Sequence, residues 1–213
     1  MRKFLVIFCA ILAYLALSSK SCSSDEKEEA ANKEAELVKT RVSIKNEFES
    51  DDLSRKSLKG FEAKAKQDLV DFSDYLTICS DNRLDSSFRN QARLMILDLF
   101  ISDSVRISGL LINGQYQKIV PLVELLNSKA ADSYNSINFK FEDIKVREPF
   151  RRTDEFNYKG RLSFSRTMKA RNASDTVTTN PFRMEADIYA SKVLKAFGKD
   201  TLRVWEVFLG EIR

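Results

Sequence analysis

Four polar side chains stand where hydrocarbon is expected. Tyr158, Arg166, Lys192 and Glu206 share the parity of apolar residues in the long alternating segments of the second half of the chain. A few polar groups on an otherwise apolar surface can orient a ligand in a mainly apolar pocket. They are the candidate pocket residues. Lys192 and Glu206 are further expected to face each other. If Phe197 pairs with Thr201 around Gly198-Lys199-Asp200, paired residue numbers sum to about 398, as ladder geometry requires.

Other chemistry is thin. The chain has no histidine, so it holds no Ser-His or Cys-His pair and no histidine metal site. Its six glycines are scattered and form no phosphate-cradling loop. No Asp shares the parity of Tyr158 on 156–168 or 182–194, which leaves that phenol without a partner base. Cys79 falls on an apolar helical stripe and is expected to be a buried, inert thiol. No catalytic residue, cofactor or metal ligand is assigned.

The elements that must position these residues come in a clear order. Leu58, Phe61, Ala65, Leu69, Phe72, Leu76 and Cys79 recur at steps of three and four, which predicts a helix over about 53–80. Asp81-Asn82-Arg83 breaks it, and Asp85 or Ser86 caps a second helix carrying Phe88, Ala92, Met95 and Leu99. Asn113-Gly114 between apolar runs predicts a hairpin turn. Pro121 opens a short third helix. Ile137, Phe139 and Phe141 then alternate, and the parity reverses at Ile144 and Val146, so a bulge is expected near Glu142-Asp143. A strand over 156–168 follows, then a polar loop at 171–180. The last element is a long hairpin over Phe182–Ile212. Helices first and an antiparallel sheet afterwards is an α+β pattern, with a helical hairpin and a short third helix packed on a curved meander.

This order resembles the cone-shaped fold of the nuclear transport factor 2-like superfamily, over residues 50–212. A cystatin-like arrangement, one helix on a meander, is the nearest rival. The superfamily resemblance implies a site between sheet and helices, and its enzymes include isomerases and dehydratases.

The N-terminus carries a different signal. Arg2 and Lys3 precede an apolar run from Phe4 to Leu17, and a short polar stretch leads to Ser21-Cys22. The run is short for a spanning helix, which needs about 20 residues, but suits a secretory leader. Ser21-Cys22 resembles a relaxed bacterial lipoprotein signal, which implies that Cys22 is acylated as the first mature residue. Cleavage after Ala16-Leu17-Ser18, or an uncleaved anchor, also fits the run. The acidic stretch Asp25-Glu26-Lys27-Glu28-Glu29 resembles a signal for transfer to the cell surface. The expected organisation is a leader at 1–21, an acidic tether at 22–40 and one domain at 41–213.

The whole chain carries a net charge of +4. Setting aside Arg2, Lys3 and Lys20 leaves 32 basic against 31 acidic side chains. So even a balance gives no case for electrostatic capture of nucleic acid. The leading expectation is a lipid-anchored envelope protein, at the outer membrane or cell surface. It would act as a non-enzymatic binding or assembly module for a protein or a small apolar ligand. The alternative is a small-molecule enzyme of isomerase or dehydratase type.

Overall fold

The computed structural model describes residues 50, 52–108, 119–127, 134–172, 174–197 and 200–213. The leader, Cys22, the tether and the turn residues Asn113-Gly114 and Gly198-Lys199 lie outside them. Among the described residues no helix is long and apolar enough to cross a membrane.

Helix α1 spans Arg55–Cys79 and α2 spans Ser86–Leu99. Each begins where a side-chain oxygen captures a free backbone donor. Ser54 Oγ accepts the Ser57 N–H at 3.1 Å, and Asp85 accepts the Ser87 N–H at 2.7 Å. Short strands β1 (Arg106–Ser108) and β2 (Ile119–Pro121) pair antiparallel and lead into α3 (Leu122–Asn127). Pro121 thus ends β2 and stands directly before the short helix it was expected to open. Four long strands follow, β3 (Ser136–Arg152), β4 (Asn157–Arg171), β6 (Phe182–Phe197) and β7 (Asp200–Ile212). Between β4 and β6, the expected polar loop contains a short strand, β5 (Thr176–Thr178), paired with the end of β4.

The sheet runs β2-β1-β7-β6-β4-β3, and the long strands form the expected meander. It is antiparallel except at one junction, where Ile107 of β1 pairs parallel with Ile212 of β7. The bulge in β3 lies where the parity reversal requires it. The β3–β4 register shifts between Glu142 and Lys145, and Asp143 adopts a φ of 54°. Two further shifts toward Arg151 bend the strand again, since each bulge adds local twist. Gly160 of β4 sits under this bent stretch. A Cβ there would lie 3.0 Å from the Glu148 carbonyl oxygen and 3.2 Å from the Phe150 nitrogen.

α1 runs against β3, an end strand of the sheet, and uses its open backbone groups. Glu62 accepts the Phe150 N–H at 3.4 Å, Thr77 Oγ1 accepts the Phe139 N–H at 2.9 Å, and Ser80 Oγ donates to the Ile137 carbonyl at 2.7 Å. An edge covered in this way cannot recruit another strand. Between helix and sheet lies the core. The Phe72 ring stands 5.0 Å from Phe100 and 5.9 Å from Phe141, and Phe141 lies 4.8 Å from Phe164. Leu69, Ile96, Leu162, Met184, Ile188 and Leu209 fill the space around them. Each such burial contributes about 1.5–3 kcal/mol.

The final hairpin departs from the expected register. Lys192 pairs with Trp205, Ala196 with Thr201 and Phe197 with Asp200, so paired numbers sum to 397. A shift of one exchanges the two faces of a strand. Trp205, Val207 and Leu209 therefore join the core, whereas Val204, Glu206 and Phe208 take the other face.

Candidate functional site at the start of α1

Tyr158, Trp205 and Lys192 meet on the helix-facing side of the sheet. Tyr158 is the second residue of β4 and is buried. Trp205 of β7 stands edge-on to it, with ring centroids 5.4 Å apart. Lys192 of β6 is the cross-strand partner of Trp205 and places its Nζ 5.7 Å from the indole centroid. At that distance the cation interacts favourably with the ring face.

The chain's own residues just before α1 fill this notch. Trp205 Nε1–H donates to the Ser50 carbonyl at 3.0 Å, and Lys192 Nζ donates to the same oxygen at 3.2 Å. The Leu53 N–H donates to Tyr158 Oη at 3.2 Å, and the phenol in turn donates to Asp52 Oδ1 at 3.4 Å. Arg152, at the end of β3, forms an ion pair with Asp52. The Leu53 side chain packs on the hydrophobic core. Ser54, the helix cap, follows at once, so the start of α1 and this strap are placed together.

Of the four candidate pocket residues, the structure brings Tyr158 and Lys192 into one site. Arg166 shares the inner parity of β4 but lies eight positions further along, about 26 Å at strand rise. It is 3% exposed and pairs in the ladder with Phe141 and Phe182. Burial pushes its guanidinium down to about 10, and the Phe182 ring lies 5.8 Å away. Glu206 is on the far face of the sheet, where Lys195 Nζ approaches it at 2.6 Å. The expected Lys192–Glu206 pair is therefore corrected: β7 closes on β6 one residue earlier than the expected turn.

Sequence reasoning missed Trp205, Arg152, Ser50 and Asp52. One signal pointed to Trp205. It is the single tryptophan, and a buried indole N–H demands an acceptor. Nothing local indicated that the acceptor would be a carbonyl 155 residues earlier.

Two other groups of charges are structural in form. On the far face, Asp187 is buried beneath Lys159 at 2.9 Å, Arg161 at 3.0 Å and Arg213 at 3.2 Å. Burial pushes its carboxyl up, but hydrogen bonds from Lys159 and Arg161 outweigh this and hold it below the usual range. On α1, Asp68 is buried and paired with Lys64. There burial outweighs the lysine, and the carboxyl is pushed above its usual range. Cys79 donates through Sγ to the Arg89 carbonyl, and burial pushes the thiol up to about 11. Among the described residues no three His, Cys, Asp or Glu side chains converge to hold a metal ion.

No protein-family model and no curated protein matches this chain in sequence. In structure it is distantly similar to a scytalone dehydratase-like protein from Novosphingobium aromaticivorans, at 8% identity and a TM-score of 0.36, over 74% of this chain and 90% of the other. It is also similar to a hexachlorocyclohexane dehydrochlorinase from Novosphingobium barchaimii, at 8% identity and a TM-score of 0.34, over 73% and 89% of the two chains. A protein from Kribbella flavida is similar at 9% identity and a TM-score of 0.29, over 75% and 95%. Likeness at this level bears on neither activity nor ligand.

Proposed function

We propose that this chain is an exported lipoprotein, acylated at Cys22 and anchored by that lipid to a bacterial envelope membrane, with the acidic segment 22–40 as a tether to the folded domain. Its folded domain works as a non-enzymatic binding module. The observation that carries the binding reading is the strap formed by Ser50, Asp52 and Leu53. The polar groups of the notch grip the chain's own backbone at Ser50 and Leu53, which is the work of a recognition site. Tyr158 has a carboxylate beside it, but that carboxylate is Asp52, with a side chain 74% exposed and paired with Arg152. That carboxylate is already committed to holding the strap in place, through Arg152 and the Tyr158 phenol.

Metabolic labelling with a palmitate analogue tests the anchoring. The wild-type chain should be labelled and processed, whereas Cys22→Ser should be unlabelled and remain a precursor. Normal labelling of that variant would sink the lipoprotein reading.

A second reading, an isomerase or dehydratase, is favoured by one observation. Asp68 is a buried carboxylate with raised proton affinity on the inner stripe of α1, a property of catalytic acids and bases. Proton NMR of cyclic and hydroxylated ketones in deuterated buffer separates the two. Protein-dependent deuterium uptake that disappears in Asp68→Asn would favour the enzyme and overturn the module.

A further inference from the structure

We infer that the Tyr158–Lys192–Trp205 notch is a binding site for a carboxylate on a short hydrocarbon stem, and that the strap of Ser50, Asp52 and Leu53 is its built-in competitor. This deepens the binding-module reading and rests on it.

The occupant in hand defines the ligand. One oxygen, the Ser50 carbonyl, receives both an ammonium donor from Lys192 and an indole donor from Trp205. Two donors converging on one oxygen, one of them charged, suit an anionic oxygen better than a neutral carbonyl, because charge-assisted hydrogen bonds are roughly twice as strong. Tyr158 Oη stands at the same notch, able to donate to a carboxylate, as it donates to Asp52.

Charge balance points the same way. When the strap leaves, Asp52 leaves with it. Arg152 then loses its carboxylate partner, and the notch gains positive charge. Leu53 also leaves, and the apolar surface it covered on the core is opened. A carboxylate carrying a few methylenes replaces both features of the strap at once, the acceptor oxygen and the hydrocarbon. The indole and phenol rings, 5.4 Å apart, form one wall for such a stem.

The strap is a covalent part of the chain, so it competes at high effective concentration. A free carboxylate gains the site only when the strap is loosened. Asp52 is the point at which to loosen it, since its side chain holds both Arg152 and Tyr158.

The test uses the full chain and the emission of Trp205, its single tryptophan. Asp52→Lys sets like charge against Arg152 and should expel the strap. Acrylamide quenching of Trp205 should then rise at least threefold. Hexanoate should quench or shift the emission saturably, with an apparent Kd at least tenfold lower than for the wild-type chain. Hexanamide and hexanol should have little effect. Adding Lys192→Met to Asp52→Lys should abolish the hexanoate response while leaving acrylamide access high. Leu53→Pro, which removes the N–H given to Tyr158, is the second opening variant.

Three results would overturn the inference. One is an opened strap with no hexanoate response. Another is equal hexanoate affinity in wild-type and opened chains, which would show that the strap is no competitor. The third is unchanged acrylamide access in both opening variants, which would show that the strap is not displaceable. Circular dichroism excludes unfolding as the source of increased quenching. Each of these results leaves the binding-module reading standing, since that reading falls only on Asp68-dependent turnover.

Discussion

Lys192 and Glu206 lie on opposite faces of the sheet. Lys192 pairs with Trp205 and points toward the strap, and Glu206 pairs with Ser191 and meets Lys195 on the far side. A double-mutant cycle between Lys192 and Glu206 should give coupling near zero. The same cycle between Lys195 and Glu206 should give about 0.2–1 kcal/mol, the range for partly exposed pairs. Coupling of 1 kcal/mol or more for Lys192–Glu206 would contradict the register.

Residues 50–53 should matter to stability and the acidic segment before them should not. A chain beginning at residue 42 is expected to melt within about 2 °C of the full-length protein. A chain beginning at Ser54 loses the acceptor of Trp205 Nε1 and Lys192 Nζ and the donor to Tyr158. Unmet hydrogen bonds of this kind cost about 1–3 kcal/mol, so its melting temperature should fall by several degrees. Calorimetry on both chains checks this, and equal melting of the two would show that the strap contributes nothing.

Asp187 should make the fold acid-sensitive. Its carboxyl titrates below the usual range in the folded chain. Its stabilisation is therefore fully present above the unfolded value, about 3.9, and is lost as pH falls through the lower folded value. Asp187→Asn should cost about 1–3 kcal/mol near neutrality, discounted because Lys159, Arg161 and Arg213 are partly exposed. That deficit should shrink as the pH falls below about 3.9 and through the lower folded value, measured by denaturant unfolding.

Asp68 should behave with the opposite sign. Burial raises its carboxyl, so the folded chain favours the protonated form. Its ionisation removes stability as pH rises from the unfolded value through the folded one. Asp68→Asn should flatten that part of the stability profile, and should be much better tolerated at pH 7 than Asp187→Asn. A deficit in Asp68→Asn that grows from pH 4 to pH 7 would contradict this.

Cys79 should be slow to react. With its thiol pushed up to about 11 by burial, little thiolate exists at pH 8. In a Cys9→Ser, Cys22→Ser background, a disulfide reagent should modify Cys79 at least tenfold faster in denaturant than in the folded chain. Equal rates would show that the thiol is open to solvent.

Gly160 should not accept a methyl group. The carbonyl of Glu148 and the nitrogen of Phe150 are backbone atoms of the bulged β3 and cannot rotate away. Gly160→Ala should destabilise by about 1–3 kcal/mol, as overpacking generally does, read as a lower denaturant midpoint.

The sequence by itself determined the elements whose signals are local. The spacing from Leu58 to Cys79 required α1, because apolar residues at steps of three and four share one helical face. Asp85 or Ser86 marked the start of α2, because such a side chain satisfies a backbone donor wherever the helix packs, and the structure puts Asp85 at the cap. The reversal of parity between Phe141 and Ile144 required a bulge, since an uninterrupted strand cannot turn both sets of apolar residues to one side. Only the tertiary structure decided the face of β7. Leu202, Val204 and Phe208 form one apolar set and Trp205, Val207 and Leu209 form another, so alternation alone does not choose between them. The choice came from packing, which buried Trp205, Val207 and Leu209 against the helices, and from a register one residue away from the expected one. The binding notch was equally non-local. Its donors lie on β4, β6 and β7, and its acceptor is a backbone carbonyl at Ser50, a group every residue carries and no side-chain pattern announces.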